Sequence, residues 1–128
     1  MKRLISIVTT IAAALSFSTV AMGAELPFNQ AAFDQAVTAG KPVVVDFAAD
    51  WCPVCRAQKP VISAILQAPE MAGVTLFVAN FDTESGLKKA LRVNGQSTLV
   101  VFKAGKEVAR STGQTHREPL QASLAQAL

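Results

Sequence analysis

Residues 43–56 read Val-Val-Val-Asp-Phe-Ala-Ala-Asp-Trp-Cys-Pro-Val-Cys-Arg, and this stretch decides the fold. Its first half is a continuous run of apolar and β-branched residues, which is typical of a strand covered on both faces in a parallel or mixed sheet. Its second half changes to helical spacing, with Pro53 at a position that suits the first turn of a helix. The stretch therefore predicts a central strand that leads directly into a helix, with two cysteines at the junction.

The rest of the chain predicts further helices and strands around this unit. We predict helices over 29–39, 52–67 and 84–92, a final helix with a capping box at Thr115 and Glu118, and strands over 43–48, 74–81, 98–102 and 107–111. On the second helix, Pro60 should produce a kink, and the spacing predicts a buried face made of Val54, Ala57, Val61, Ala64 and Ile65. The order α-β-α-β-α-β-β-α predicts an α/β fold, with a central mixed β-sheet flanked by helices on both faces.

Length and charge exclude several classes of protein. The 128 residues suffice for one modest core and exclude a multidomain assembly. The formal net charge is +3, and two of the cations are Lys2 and Arg3 at the start of the chain. The remainder is close to neutral, with cations interspersed among acids, whereas nucleic-acid binders carry a basic patch or stripe. We therefore expect no nucleic-acid partner.

The amino-terminal segment, residues 1–24, predicts export. It begins with two cations, continues with an apolar stretch and ends in small residues, which is the pattern of a secretory signal peptide. Cleavage after Gly23 or after Ala24 fits this pattern, and we expect the mature domain to span residues 25–128 in the periplasm. The alternative is an uncleaved anchor that holds the domain on the periplasmic side of a membrane. An exported domain works where disulfides form and persist.

Two cysteines carry the predicted chemistry. Pro53 places Cys52 at or beside the N-cap of the helix, where unpaired N–H groups and the helix dipole favour a thiolate. We therefore interpret Cys52 as the nucleophile, and Cys55, inside the first turn and more shielded, as the resolving thiol. A structural disulfide is an alternative, although so short a loop would stabilise the fold by only about 2 kcal/mol. A metal site within one chain would be incomplete, because His116 is distant in sequence and is expected at the surface.

Asp46 is the second unusual residue, since it interrupts an apolar strand. Its side chain must lie on a buried face of the sheet, and burial raises the pKa of a carboxyl group. It precedes Cys52 by six residues, so it can lie beneath the thiols and exchange a proton with Cys55. The alternative is a core acid that is paired with a cation such as a lysine.

The stretch from Val45 to Arg56 resembles the thioredoxin superfamily, with its strand, buried acid and Trp-Cys-x-x-Cys motif. Pro60, Asp82 and the hairpin at 103–106 match the family as well, and the likeness covers residues 28–128. Among members of the family, the chain is most similar to exported ones, such as the carboxy-terminal domain of the transmembrane disulfide-interchange reductase.

This resemblance implies a thioredoxin-like fold and a thiol–disulfide oxidoreductase, most similar to a protein-disulfide reductase or an electron relay. It implies no cofactor beyond the redox-active Cys52–Cys55 disulfide. It also implies oxidised or reduced partner proteins, with a membrane thiol electron transporter as the donor, and we expect the protein to act as a monomer. The catalytic residues that it indicates are Cys52, Cys55 and Asp46.

The same resemblance predicts a substrate-binding surface, with the residues Trp51, Pro53, Val54, Gln96, Ser97 and Thr98. Ser97 stands where the family carries its cis-proline. A cis peptide bond before serine costs about 2.5 to 4 kcal/mol, so we expect a trans bond here. Val78 stands where thioredoxin has the buried lysine that pairs with its buried acid, and Asp46 should therefore be harder to ionise.

The direction of electron flow is predicted from the residues between the cysteines. Pro53 and Val54 supply no cation to stabilise a thiolate, which favours a reducing or intermediate potential. One alternative is a disulfide oxidant or isomerase. Another is a non-catalytic binding module that uses the same fold to hold a client protein, or a metal captured by the cysteines of two chains in the space that Ser97 leaves.

Overall fold

The computed structural model describes Ser16 and residues 18–128, so most of the predicted signal segment lies outside the described residues. The elements are β1 (Ala24–Pro27), α1 (Gln30–Thr38), β2 (Val43–Ala48), α2 (Pro53–Leu66), a 3₁₀ turn (Pro69–Met71), β3 (Thr75–Asn80), α3 (Ser85–Leu91), β4 (Thr98–Lys103), β5 (Lys106–Thr112) and α4 (Arg117–Ala125). None of the described helices is both long and apolar enough to cross a bilayer.

Five strands form one mixed sheet in the order β1-β3-β2-β4-β5. Strands β1 and β2 run parallel to β3, whereas β4 is antiparallel to both β2 and β5. The predicted mixed sheet and its antiparallel carboxy-terminal pair are therefore confirmed.

Strand β1 was not predicted from the sequence. Its four residues are exposed, so they carry no alternation of apolar and polar side chains. Main-chain hydrogen bonds hold the entry to the strand: the Gly23 N–H donates to the Leu66 carbonyl (2.8 Å), and the Ala24 N–H donates to the Val74 carbonyl (2.9 Å). Main-chain hydrogen bonds therefore hold this edge strand, and the pattern of apolar side chains cannot predict such bonds.

Two cores lie on opposite faces of the sheet. Successive side chains of a strand point to opposite faces, so Val44 joins the core that α2 and α4 cover, whereas Val43 and Val45 join the core under α1 and α3. Helices on both faces confirm the predicted layers. By the same alternation, Asp46 lies on the face of Val44, which is the face that α2 covers.

The buried face of α2 differs from the predicted one. It consists of Cys55, Gln58, Ile62, Ile65 and Leu66. Val54, Ala57 and Ala64 are exposed instead, and Val61 is half-buried. Of the predicted residues, Ile65 is buried. The pattern of apolar residues did not include Gln58, which is polar and is buried because the main chain of another segment supplies its side chain with hydrogen-bond partners. Pro60 lies inside the helix as predicted.

The helix caps confirm one prediction and correct another. Asn29 is the N-cap of α1, and its side chain accepts a hydrogen bond from the Ala32 N–H at 2.9 Å. The predicted capping box of α4 is wrong, because the helix begins one residue later. His116 is its N-cap and makes no capping hydrogen bond through its side chain, so Glu118 stands one position too early for a capping box. His116 is exposed, as expected.

Candidate active site

The junction between β2 and α2 builds the site. Cys52 has extended backbone angles (φ −82°, ψ 111°) and is the N-cap of α2, which begins at Pro53. Its Sγ accepts a hydrogen bond from the Cys55 N–H at 3.1 Å. The predicted N-cap position of Cys52 is therefore confirmed, and its sulfur lies at the positive end of a helix of 14 residues.

Cys52 and Cys55 are joined by a disulfide, with their Cα atoms 5.3 Å apart. Cys52 is 1% exposed and Cys55 is 6% exposed. The expectation that Cys55 is the more shielded residue is therefore wrong for this oxidised form. As the N-cap, Cys52 turns its sulfur inward toward the helix amides and the Ser97 side chain, whereas Cys55 borders a surface cavity.

Ser97 lies against the disulfide. Its Oγ is 3.2 Å from the Sγ of Cys52 and 3.1 Å from the Sγ of Cys55. The peptide bond before it is trans, as expected, and its φ is +61°, in the left-handed region. Its N–H donates to the Phe47 carbonyl at 2.8 Å, and its carbonyl accepts from the Gly113 N–H at 3.0 Å. Proline could provide neither that N–H nor that φ, so a serine here forms a local structure that proline cannot.

Gln58 is a site residue that the sequence analysis missed. It is buried on α2, three residues after Cys55, and its Nε2 donates to the carbonyls of Ser97 (3.3 Å) and Gln114 (2.7 Å). Two facing carbonyls require the NH₂ end of the amide, and the Oε1 is left without a partner among the described residues. The spacing of three from Cys55, on one helix face, was the available signal.

Asp46 is buried, as predicted, and it lies on the same cavity as Cys55. Together with Cys55, Glu25 and Lys59 it lines a cavity of about 310 Å³ between β2, β3 and α2. Burial, and secondarily the negative charge of Glu25, raises the pKa of Asp46 from 3.8 to about 7. Its Oδ1 has no hydrogen-bond partner among the residues that the structure describes. The interpretation of Asp46 as a core acid in an ion pair is therefore not supported.

The six predicted substrate-binding residues divide into two groups. Trp51 is 56% exposed, and Pro53 and Val54 beside it are exposed as well. The Trp51 indole N–H donates to the Asp82 carboxylate at 2.8 Å, which fixes the ring next to the cysteines. This contact links Trp51 to an acid that follows β3.

The second group lies deeper, where the loop before β4 ends, and its last residue, Thr98, is the first residue of that strand. Ser97 and Thr98 are buried, and Gln96 is half-buried. The Thr98 hydroxyl donates to the Gly95 carbonyl at 2.8 Å and lies 3.0 Å from the Thr112 hydroxyl of β5, so its hydrogen bonds hold the loop and the β4–β5 pair. Of this group, Ser97 is the residue whose side chain contacts the sulfurs.

The disulfide lies at the N-terminus of a helix that directly follows the central strand of a mixed sheet, and a buried acid lies on the cavity beside it. This arrangement defines a class of protein. The class is the thioredoxin-fold thiol–disulfide oxidoreductases, in which a dithiol and a disulfide exchange electrons with another such pair. Within the part of the chain that the structure describes, no group of three or more His, Cys, Asp or Glu residues is placed to hold a metal ion.

Comparison with known proteins agrees with this class. A sequence profile of the thioredoxin family matches residues 25–126, so the chain belongs to the thioredoxin family. It is 34% identical over 105 residues to the thioredoxin of Alicyclobacillus acidocaldarius, an alignment that covers 82% of this chain and 99% of that protein. It is 37% identical over 86 residues to the thioredoxin of Chlamydia pneumoniae, covering 67% of this chain and 81% of the relative.

Solved structures show the same fold. The crystal structure of Trxlp from Edwardsiella tarda superimposes with a TM-score of 0.77 at 40% identity, covering 79% of this chain and 98% of that one. Thioredoxin from Malassezia sympodialis superimposes with a TM-score of 0.72 at 25% identity, covering 87% and 97%. The protein is thus a thiol–disulfide oxidoreductase with the thioredoxin fold.

Proposed function

We propose that the protein is an exported protein-disulfide reductase or electron relay, which receives electrons from a membrane thiol transporter and passes them to oxidised partner proteins. The observation that carries the proposal is the placement of the two sulfurs in different surroundings. Cys52 caps α2 and accepts the Cys55 amide, whereas Cys55 borders the cavity of Asp46. One sulfur is thus suited to attack, and the other has an acid–base group beside it.

In the first step, the Cys52 thiolate attacks a sulfur of the partner disulfide. A mixed disulfide forms between Cys52 and the partner, the partner S–S bond breaks, and the departing partner sulfur takes up a proton. The amide of Cys55 and the dipole of α2 stabilise the thiolate that attacks.

In the second step, Cys55 resolves the mixed disulfide. Its thiol passes its proton to the ionised Asp46 carboxylate, and its sulfur attacks Cys52 to form the intramolecular disulfide. The second partner sulfur leaves and is protonated, so the partner has gained two electrons and two protons. The enzyme has lost two electrons and the Cys55 proton, and solvent supplies the other proton because Cys52 entered the reaction as a thiolate. With a pKa of about 7, Asp46 is present in both protonation states near neutral pH, as a group that gives and takes protons must be.

Partner proteins can reach the disulfide from the exposed side of the site. Trp51, Pro53 and Val54 form an exposed apolar rim beside the disulfide. An extended partner segment around an oxidised cysteine can lie on such a rim, where apolar contact contributes to binding. We infer that this rim, together with Gln96, contacts the partner and that the protein acts as a monomer.

Export is proposed from the sequence of residues 1–24. Of the two candidate cleavage sites, the one after Gly23 is compatible with an intact β1, which begins at Ala24. Cleavage at either site removes the Gly23 N–H that donates to the Leu66 carbonyl, and cleavage after Ala24 also removes the Ala24 N–H that donates to the Val74 carbonyl. Mass spectrometry of the protein recovered from a periplasmic extract measures the site. Because β1 begins at Ala24, the expected result is a mature chain that begins at Ala24 and not at Glu25, the start that the sequence alone predicts.

Trapping of partners tests the reductase mechanism. In Cys55→Ala the resolving thiol is absent, so mixed disulfides through Cys52 should accumulate with oxidised partner proteins. In Cys52→Ser no mixed disulfide should form, and reduction of insulin disulfides by dithiothreitol should lose essentially all of its acceleration. Ser111→Ala, which removes a hydroxyl on β5, serves as the matched control and should behave as the wild type.

The same experiment separates the alternatives. A passive binding module would hold clients without covalent trapping and would not accelerate insulin reduction in the wild type, and either result would contradict the proposal. Metal analysis of protein purified under reducing conditions tests the metal-holding alternative. A stoichiometric metal or cluster held by the cysteines would replace the reductase interpretation.

A further inference from the structure

The position of Ser97 has a chemical consequence for the reduced protein. Both disulfide sulfurs lack a proton, so the hydroxyl must be the donor in its contacts at 3.2 and 3.1 Å to Cys52 and Cys55. A hydroxyl has one proton and can donate to one sulfur at a time. A neutral disulfide sulfur is a weak acceptor, whereas a thiolate is a strong, charged one.

We propose that the Ser97 hydroxyl donates a hydrogen bond to the Cys52 thiolate in the reduced protein, and that Gln58 is the positioning residue that holds Ser97 in place to do so. The inference rests on the proposed function, because it assigns a donor to the sulfur that attacks. With the Cys55 amide already at 3.1 Å, the Cys52 sulfur then accepts two hydrogen bonds from this chain.

The contribution of Ser97 grows on reduction. The disulfide accepts two electrons from a dithiol partner, the S–S bond breaks, Cys55 takes up a proton and Cys52 remains a thiolate at a pH above its pKa. The partner dithiol loses two electrons and two protons and becomes a disulfide, and the proton that Cys52 does not take is released to solvent. Because the hydroxyl interacts more strongly with the thiolate than with the disulfide, it favours the reduced form.

Gln58 holds Ser97 through its carbonyl. A non-glycine residue at φ +61° is costly and persists only where its surroundings fix it. Three hydrogen bonds do so here: the Ser97 N–H to Phe47, the Gly113 N–H to the Ser97 carbonyl, and the Gln58 side chain to that same carbonyl. Two of the three come from main-chain groups, so Gln58 is the side chain whose removal loosens the hydroxyl without removing it.

Several charged groups lie near the pair. Asp82 accepts the hydrogen bond of the Trp51 indole beside Cys52, and five others line the cavity beside Cys55. They are Asp46 on β2, Glu25 on β1, Asp50 in the loop after β2, and Arg56 and Lys59 on α2. None of the variants proposed below changes these groups, so differences in the titration of Cys52 between the variants report on the hydrogen bond.

The test measures the Cys52 thiolate in two matched variants of Ser97. Ser97→Ala removes the hydroxyl and keeps the backbone strain, whereas Ser97→Gly removes both. The rate of Cys52 alkylation against pH gives its acid dissociation constant, and equilibration with glutathione gives the reduction potential. Both variants should lower the dissociation constant by about three- to tenfold. The equilibrium constant for reduction of the disulfide should fall by the same factor. A tenfold fall makes the reduction potential more negative by about 30 mV.

Gln58→Met tests the positioning role. It should change both quantities in the same direction as Ser97→Ala, but less, because the hydroxyl is still present. Added to Ser97→Gly, it should have no further effect on either quantity, since the donor that it positions is gone. A merely structural role for Gln58 predicts lower stability in both backgrounds and an unchanged Cys52 titration.

Specific outcomes would overturn the inference. If both Ser97 variants keep the wild-type dissociation constant and potential, the hydroxyl donates nothing to the thiolate. If Ser97→Gly alone differs from the wild type, the relief of backbone strain and not the loss of the hydroxyl is responsible. Failure of the proposed function is distinct, because the wild-type protein would then show no reversible dithiol–disulfide couple at all.

Discussion

The two sides of the disulfide both carry a buried polar side chain, yet the two side chains are held in opposite ways. Ser97 has its N–H, its carbonyl and its hydroxyl all engaged in contacts. Asp46 has a buried Oδ1 without a partner among the described residues, and its pKa is raised to about 7. A fully bonded group keeps one geometry, whereas an unpaired acid can change its protonation state. The first is suited to orienting a sulfur and the second to moving a proton.

The largest expected effect that tests this comparison comes from Asp46→Asn. The pKa of Asp46 in the folded protein, about 7, lies above its ordinary value of 3.8. Below about pH 4 the carboxyl is neutral in both the folded and the unfolded state, so its burial does not make stability depend on pH. As the pH rises from about 4 through 7, the folded state loses stability, because the unfolded state ionises the carboxyl more readily. At pH 8 the buried carboxylate costs at most about 4 kcal/mol, and Asp46→Asn should recover part of it.

Urea unfolding at two pH values measures this effect. Asp46→Asn should be more stable than the wild type at pH 8 by about 1 to 4 kcal/mol and nearly equal to it at pH 4. The same variant should slow the release of partners trapped on Cys52, since the acceptor for the Cys55 proton is absent. A variant that is less stable than the wild type at pH 8 would show that Asp46 is satisfied after all.

The next largest effect comes from Ser97→Pro, which restores the residue typical of the family. Proline removes the N–H that donates to Phe47 at 2.8 Å, and it cannot adopt a φ of +61°. We expect a loss of about 3 kcal/mol in the free energy of unfolding. Ser97→Gly, which tolerates this φ, should stay within about 1 kcal/mol of the wild type. Equal stability of the proline variant and the wild type would mean that the Ser97 loop is not fixed by these contacts.

The smallest effect comes from Glu25→Gln, on the side of Asp46. The negative charge of Glu25 is the lesser of the two causes that raise the pKa of Asp46. Glu25 is exposed, so water and salt screen its charge. The pKa of Asp46, followed by NMR of its carboxyl carbon, should fall by less than about one pH unit. A rise would contradict the placement of the two carboxyl groups around one cavity.

Much of this site could be predicted from the sequence because its signals are local. The β-branched run of β2 and Pro53 after Cys52 set the strand, the helix start and the N-cap. Asp46 could be placed by its position in an apolar strand, since alternation along the strand puts it on the face of Val44. Each of these inferences uses residues that are close in sequence.

The parts that the sequence did not predict depend on distant contacts. The spacing of Gln58 from Cys55 places it on the same helix face, but its burial depends on the carbonyls of Ser97 and Gln114, which lie opposite its amide and are distant in sequence. Strand β1 is held by backbone pairing to β3, with exposed side chains. The contacts of Ser97 with both sulfurs depend on the loop before β4, which is distant in sequence from the cysteines.

The reduction potential of the Cys52–Cys55 pair decides whether the protein gives electrons to its partners or withdraws them. The wild-type protein would be equilibrated with defined mixtures of reduced and oxidised dithiothreitol or glutathione, and its reduced fraction measured after alkylation. A reductase or relay that gives electrons to partner proteins should show a potential below about −220 mV. A potential above about −150 mV would contradict the account, because such a pair withdraws electrons and acts as an oxidant or isomerase.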